Sequence, residues 1–148
     1  LDARLCIAHS TIEDPGPIAT DQRAEHGEWL YGCDICQEVC PWNRTAGPPL
    51  ADPLGLRQRL AAREVWQGPT LAWVLGLDPD AWQRVTRRSA VRRARHRGLL
   101  RNALVVAGNS GDGGLIPLVR KHAEGPDAML REHARWALGR LESEPADV

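Results

Sequence analysis

The 148-residue chain has no stretch of eighteen apolar residues, which argues against a membrane-spanning helix. Its opening residues, LDARLCIAHS, hold no basic region followed by an apolar core, so a secretory signal is not expected. With no initiator methionine, the chain is expected to be a fragment or a trimmed form of a protein. Lysine is nearly absent, with 18 Arg against 1 Lys. No Ser/His/Asp set, Walker loop or dinucleotide-binding glycine loop is visible. GNSGDGG (Gly108 to Gly114) is glycine-rich, but no strand–loop–helix context makes it a phosphate cradle.

What is present belongs to a globular protein: 43% hydrophobic and 26% charged residues, enough for one ordinary domain or two small modules. The net charge of zero hides an asymmetry. Residues 1–86 carry 7 basic and 12 acidic side chains, and residues 87–148 carry 12 and 7. Seven of those arginines (Arg87, Arg88, Arg92, Arg93, Arg95, Arg97 and Arg101) fall in RRSAVRRARHRGLLR without one acid. A polyanion is the partner such a segment suits, because guanidinium forks bind phosphate in pairs of hydrogen bonds. The bland alternative is a solvated helix face.

The pattern is mainly α-helical. Residues 1–47 read as an irregular, metal-organised module with a thin core of Ile7, Ile12, Ile18, Trp29, Leu30, Ile35, Val39 and Trp42. TAGPPLADPLG, residues 45–55, is the linker. Residues 48–148 read as helices. LGLRQRLAAREVW places Leu56, Leu60, Val65 and Trp66 near one face. PTLAWVLGL stops near Gly76, and Asp78-Pro79 begins the next helix as N-cap and first residue. Later ends are marked by Gly108-Asn109, Gly125-Pro126 and Glu144-Pro145. RNALVVAGN and EHARWALGR align at an offset of 31, pairing Ala103 with Ala134 and Gly108 with Gly139. That period suits HEAT-like paired helices; a plain helical bundle is the simpler reading.

The four cysteines are Cys6 and then Cys33-x2-Cys36-x3-Cys40-Pro41. Two disulfides would need an oxidising compartment that nothing else suggests. Zinc prefers two pairwise knuckles. Cys33 and Cys36 make one, whereas Cys6 and Cys40 make none, and neither His9 nor His26 supplies a second. The run fits the last three cysteines and the proline of C-x2-C-x2-C-x3-C-P, whose fourth cysteine serves the other cluster of a pair. Cys6, Cys33 and Cys36 would then give three ligands to one cluster and Cys40 one to a second. The remaining ligands would come from a run outside this chain, so the isolated chain should not hold two complete clusters. A single cluster on all four cysteines is the alternative. Tyr31 and Trp42 could shield a cluster or serve as ordinary core. Asn102 suits a hydrogen bond to a neighbouring loop, Asn109 a helix stop, and His96, His122 and His133 surface or locally satisfied positions.

LDARLCIAHSTIE, GPI, GCDICQEVCPWN and RNALVVAGN together resemble the C-terminal half of epoxyqueuosine reductases. Ala8-His9 departs from the Ser-Tyr common there. The resemblance implies a cobalamin-dependent reduction of epoxyqueuosine to queuosine in tRNA. It implies two [4Fe-4S] clusters in a ferredoxin-like module, with Cys6, Cys33, Cys36 and Cys40 as ligands, and HEAT-like helices that help hold the tRNA. Cobalamin and the first cysteine run would lie upstream of position 1, leaving no catalytic residue here and a fragment inactive alone. A cytoplasmic monomer, an external electron donor and the seven arginines as tRNA contacts complete the expectation. The rivals are a stand-alone ferredoxin-like carrier with a helical docking domain and a zinc-stabilised RNA-binding module.

Overall fold

A computed structural model describes residues 2–44 and 51–143. The described residues form helices and turns, with no strand among them. Two units are present. One comprises the described residues up to Gly32 together with those from Thr70 onward; the other is Cys33–Pro69. The boundary expected at 47/48 lies outside the described residues.

In the larger unit, a 3-10 turn (Ala3–Leu5) and a π-helical turn (His9–Glu13) precede α1, Thr20–Arg23. The smaller unit holds three short helices: α2 (Ile35–Glu38), α3 (Pro41–Arg44) and α4 (Leu56–Arg59). The expected helical stripe after the linker is broken there. α4 ends at Arg59 and only a 3-10 turn follows at Glu64–Trp66, which leaves Leu56, Leu60 and Val65 exposed. Ile35, Val39 and Trp42 are also exposed, Trp42 by 84%. Of the thin core expected for residues 1–47, only Ile18 is fully buried. The linker's residues 45–50 lie outside the described residues.

The larger unit continues with α5 (Leu71–Leu75), α6 (Pro79–Val85), α7 (Arg95–Ser110), α8 (Ile116–Ala123) and α9 (Ala128–Ser143). Their starts follow the capping rules. The Asp78 carboxylate accepts from the Ala81 N–H at 2.7 Å, and Asp127 Oδ1 accepts from Met129 and Leu130 at 2.9 and 3.1 Å. α7 is buried without interruption from Gly98 to Gly108, the mark of a helix covered on every side. Leu99, Ala103, Leu104 and Ala107 of α7 are buried, as are Val119 of α8 and Ala134 and Ala137 of α9. α7 does not stop at Gly108-Asn109 but runs to Ser110, where Gly111 takes a left-handed conformation at φ 66°. Gly108 serves close approach instead. A Cβ there would lie 2.6 Å from Trp136 Cζ3 and 2.9 Å from Ala137 Cα, whereas one on Gly139 would meet nothing. The expected end at Glu144-Pro145 lies outside the described residues.

Candidate iron–sulfur segment and its arginine neighbour

All four cysteines are free thiols; Cys36 is exposed and the other three are half-buried. Cys6 belongs to the larger unit, where it closes the 3-10 turn and its carbonyl accepts from the Ser10 N–H at 3.0 Å. Cys33, Cys36 and Cys40 belong to the smaller unit. Asp34 O accepts from Gln37 and Glu38, which folds the Cys33–Cys36 stretch into a helical turn. Pro41 opens α3 immediately after Cys40, the helix position where its missing N–H costs nothing. Asn43 Nδ2 donates back to Gln37 O at 2.7 Å and to Gln37 Oε1 at 3.1 Å, tying α3 to α2. Sequence reasoning gave Asn43 no role, although it closes the same CPWN motif. Among the described residues no group of three His, Cys, Asp or Glu side chains is arranged to hold a metal ion. The donor chemistry, four thiols unengaged in disulfides, suits thiolate-bound iron.

Four of the five histidines bond into the fold. His26 is buried between Ser10 Oγ and Gln22 O, at 2.7 and 2.8 Å, which removes it from any ligand set. His96 is half-buried rather than a surface residue: Nε2 lies 2.7 Å from Leu77 O and the ring 5.7 Å from that of Trp82. His122 bonds Leu75 O. His133 is fully buried and accepts from the Ile18 N–H through Nε2. Its Nδ1–H then faces Met129 O and Glu132. Burial holds its pKa below the ordinary histidine value.

The arginines divide sharply. Arg101 is 1% exposed and lies inside the fold, not on a surface. Nη1 donates to Asp14 O at 2.9 Å and to Gly16 O, while Nη2 donates to Ser10 O and to Asn102 Oδ1 at 2.8 Å. Burial lowers its pKa to about 10, with the Asp14 charge opposing that shift. Its carbonyl partners were invisible in sequence because they lie 85 to 91 positions away. Asn102 and Asn109 share this role. Asn102 Nδ2 donates to Thr11 O and Leu30 O, and Asn109 Nδ2 to Arg23 O and Gly27 O. One face of α7 thus grips the segment 10–30 by its carbonyls, which is why that segment packs with the C-terminal helices. Arg93 pairs with Glu13, and Arg97 makes a two-point pair with Asp127 at 2.6 and 3.0 Å. Arg92 bonds Gln83. Arg87, Arg88 and Arg95 are exposed, and Arg88 and Arg95 hold positive φ, 57° and 59°, on either side of the 3-10 turn Ala90–Ala94. Non-glycine residues rarely adopt that region. Tyr31 Oη donates to Ala90 O at 2.7 Å, and burial raises its pKa.

A family model for a 4Fe-4S double cluster binding domain matches residues 1–43, the stretch that holds all four cysteines. The epoxyqueuosine reductase of Alicycliphilus denitrificans is 36% identical over 146 residues, covering 93% of this chain and 39% of that protein. Nearly the whole chain is similar to part of an epoxyqueuosine reductase. The fold agrees. A crystal structure of a selenomethionine-labelled epoxyqueuosine reductase, 22% identical, superposes with a TM-score of 0.81 over 99% of this chain and 41% of that one. A crystal structure of an epoxyqueuosine reductase with an epoxyqueuosine-modified tRNA-Tyr stem loop gives 0.75 at 24% identity, over 95% and 36%. The chain spans about two fifths of the length of the epoxyqueuosine reductases it matches. Among the described residues no helix is long and apolar enough to cross a membrane.

Proposed function

We propose that this chain is the iron–sulfur and tRNA-contacting part of an epoxyqueuosine reductase, the enzyme that converts epoxyqueuosine to queuosine in tRNA. The observation that carries the proposal is the coincidence of the double-cluster family match with the Cys6, Cys33, Cys36 and Cys40 set. In this reading those thiolates hold [4Fe-4S] iron, with Cys40 serving a second cluster, and residues 1–47 form the second half of a ferredoxin-like module. Such clusters, when bound, supply electrons one at a time at potentials tuned by hydrogen bonding and exposure. Cobalamin, implied by the sequence resemblance, is assigned no residue here. The longer protein would act in the cytoplasm as a monomer and draw on an external electron donor. α7 and α9 act as equivalent helices of successive units of a HEAT-like array, a reading supported by the full burial of the aligned Ala103 and Ala134.

The arginine segment supplies the tRNA contact. Arg87, Arg88, Arg92, Arg93, Arg95 and Arg97 are all exposed; Arg93 and Arg97 also pair at the surface with Glu13 and Asp127. Arginines of this kind position a phosphate backbone without reading its sequence. The test is anaerobic reconstitution of the full-length protein, followed by iron and zinc analysis and binding to an epoxyqueuosine-bearing stem loop. Thiolate-bound iron with salt-dependent stem-loop binding supports the reading. Stoichiometric zinc without iron would favour an RNA-binding module, and iron without RNA binding a simple electron carrier.

A further inference from the structure

Among the described residues, the non-glycine residues at positive φ are both arginines of one run, Arg88 at 57° and Arg95 at 59°. Arg95 combines that φ with ψ 160°, a region populated almost only by glycine. Glycine would relieve the strain, and the chain meets a similar need at the end of α7 with Gly111, at φ 66°. Strain of this kind persists only where the surroundings over-determine the backbone, and it gathers at binding sites.

The surroundings here do fix the backbone. The 3-10 turn Ala90–Ala94 runs between the two strained arginines. Tyr31 Oη donates to Ala90 O at 2.7 Å, across fifty-nine positions of sequence. Ser89 Oγ accepts from the Val91 N–H at 3.3 Å, and Gln83 Oε1 accepts from Arg92 Nη2 at 2.9 Å. Glu13 pairs with Arg93, and Ala94 is buried. What this fixed turn leaves to solvent is positive charge. Arg87, Arg88 and Arg95 are exposed and, among the described residues, form no ion pair. Charge that served solubility alone would need no strained backbone. Guanidinium forks suit phosphate, and a turn ordered in advance loses little freedom when it binds.

We infer that residues 88–95 are a preformed phosphate-binding turn, whose strained backbone presents Arg88 and Arg95 to the phosphates of an RNA backbone, and that Tyr31 is its positioning residue. The inference rests on the RNA-contacting reading above. It adds that the contact depends on backbone strain and on a hydroxyl outside the arginine run. The test measures stem-loop affinity across salt, and melting temperature, for the full-length wild type, Arg95→Gly, Arg95→Lys and Tyr31→Phe. Arg95→Gly should melt a few degrees higher, its strain relieved. It should bind about 5- to 8-fold more weakly near 0.1 M salt, the counterion-release value of one phosphate, with the salt slope reduced by nearly one. Arg95→Lys keeps both cation and strain, and should keep the wild-type slope and melting temperature. Tyr31→Phe removes no charge, so it should weaken binding about 2- to 10-fold at an unchanged slope. A hydroxyl with a merely structural role would lower the melting temperature and leave affinity alone. Wild-type affinity in Tyr31→Phe would overturn the positioning role. An Arg95→Gly protein that melts lower than wild type, or binds as tightly, would overturn the strained turn and leave the RNA reading standing. A wild type that does not bind the stem loop even at low salt would overturn both.

Discussion

Replacing Arg101 with methionine separates its two possible roles. The apolar substitute fills part of the same volume but removes every donor. The carbonyls of Ser10, Asp14 and Gly16 lose their Arg101 hydrogen bonds, and Asn102 Oδ1 loses two. An unsatisfied buried acceptor costs about 1–3 kcal/mol. Relief of the buried charge's desolvation offsets part of that sum. The expected loss is about 3–5 kcal/mol, the sum over these neutral acceptors less that relief, and a large fraction of a typical domain's 5–15 kcal/mol or so. Urea unfolding followed by circular dichroism would show a lower midpoint at unchanged slope. Arg101→Lys should recover only part of the loss, because one ammonium cannot reach three carbonyls and an amide together. A loss within about 0.5 kcal/mol, the usual range for surface substitutions, with weakened stem-loop binding would refute the clamp and return Arg101 to the RNA-contacting set.

Gly108→Ala should destabilise by about 1–3 kcal/mol through overpacking against Trp136 and the Ala137 backbone, despite alanine's better helix propensity. Gly139→Ala, facing open space, should stabilise by up to about 1 kcal/mol; thermal denaturation of the pair checks both. His133 titrates below the ordinary histidine value of 6.5 in the fold, so the unfolded chain binds its proton first. Its contribution is therefore complete above 6.5 and falls as pH drops through that value toward the folded pKa. Denaturant midpoints across that range should fall on acidification in the parent and less in His133→Gln. The triple variant Arg87→Ala/Arg88→Ala/Arg95→Ala should reduce the slope of log affinity for the stem loop against log salt by about one for each phosphate no longer neutralised. Arg93→Ala and Arg97→Ala should change it less, and equal effects in filter binding would refute the division of the arginines.

Much of the helical part was legible because its signals are local. Asp78 and Pro79 announce a helix within four residues, and the apolar run of LLRNALVVAGN announces a second, buried one. The cysteine spacing is local in the same way: Cys33, Cys36, Cys40 and Pro41 sit close enough in sequence for their spacing to suggest a chemistry. The broken stripe at residues 56–66 misled because periodicity counts apolar residues without knowing whether anything packs on them. Leu56 and Leu60 have the spacing of a core face and the exposure of a surface.

The sequence by itself determined a mainly helical protein, a thiolate set of iron–sulfur spacing and an arginine-rich segment suited to a polyanion. Tertiary structure decided which of those arginines face outward. Arg101 and Arg95 are alike in sequence, six positions apart in the same run, yet one is enclosed by carbonyls and the other is exposed. It also decided that residues up to Gly32 pack with helices more than sixty positions later, and that Tyr31 holds the arginine turn at Ala90. Each of these depends on a hydrogen bond between a side chain and a distant backbone group. Every residue offers such a group, so no residue type at the receiving end marks where the partner lies.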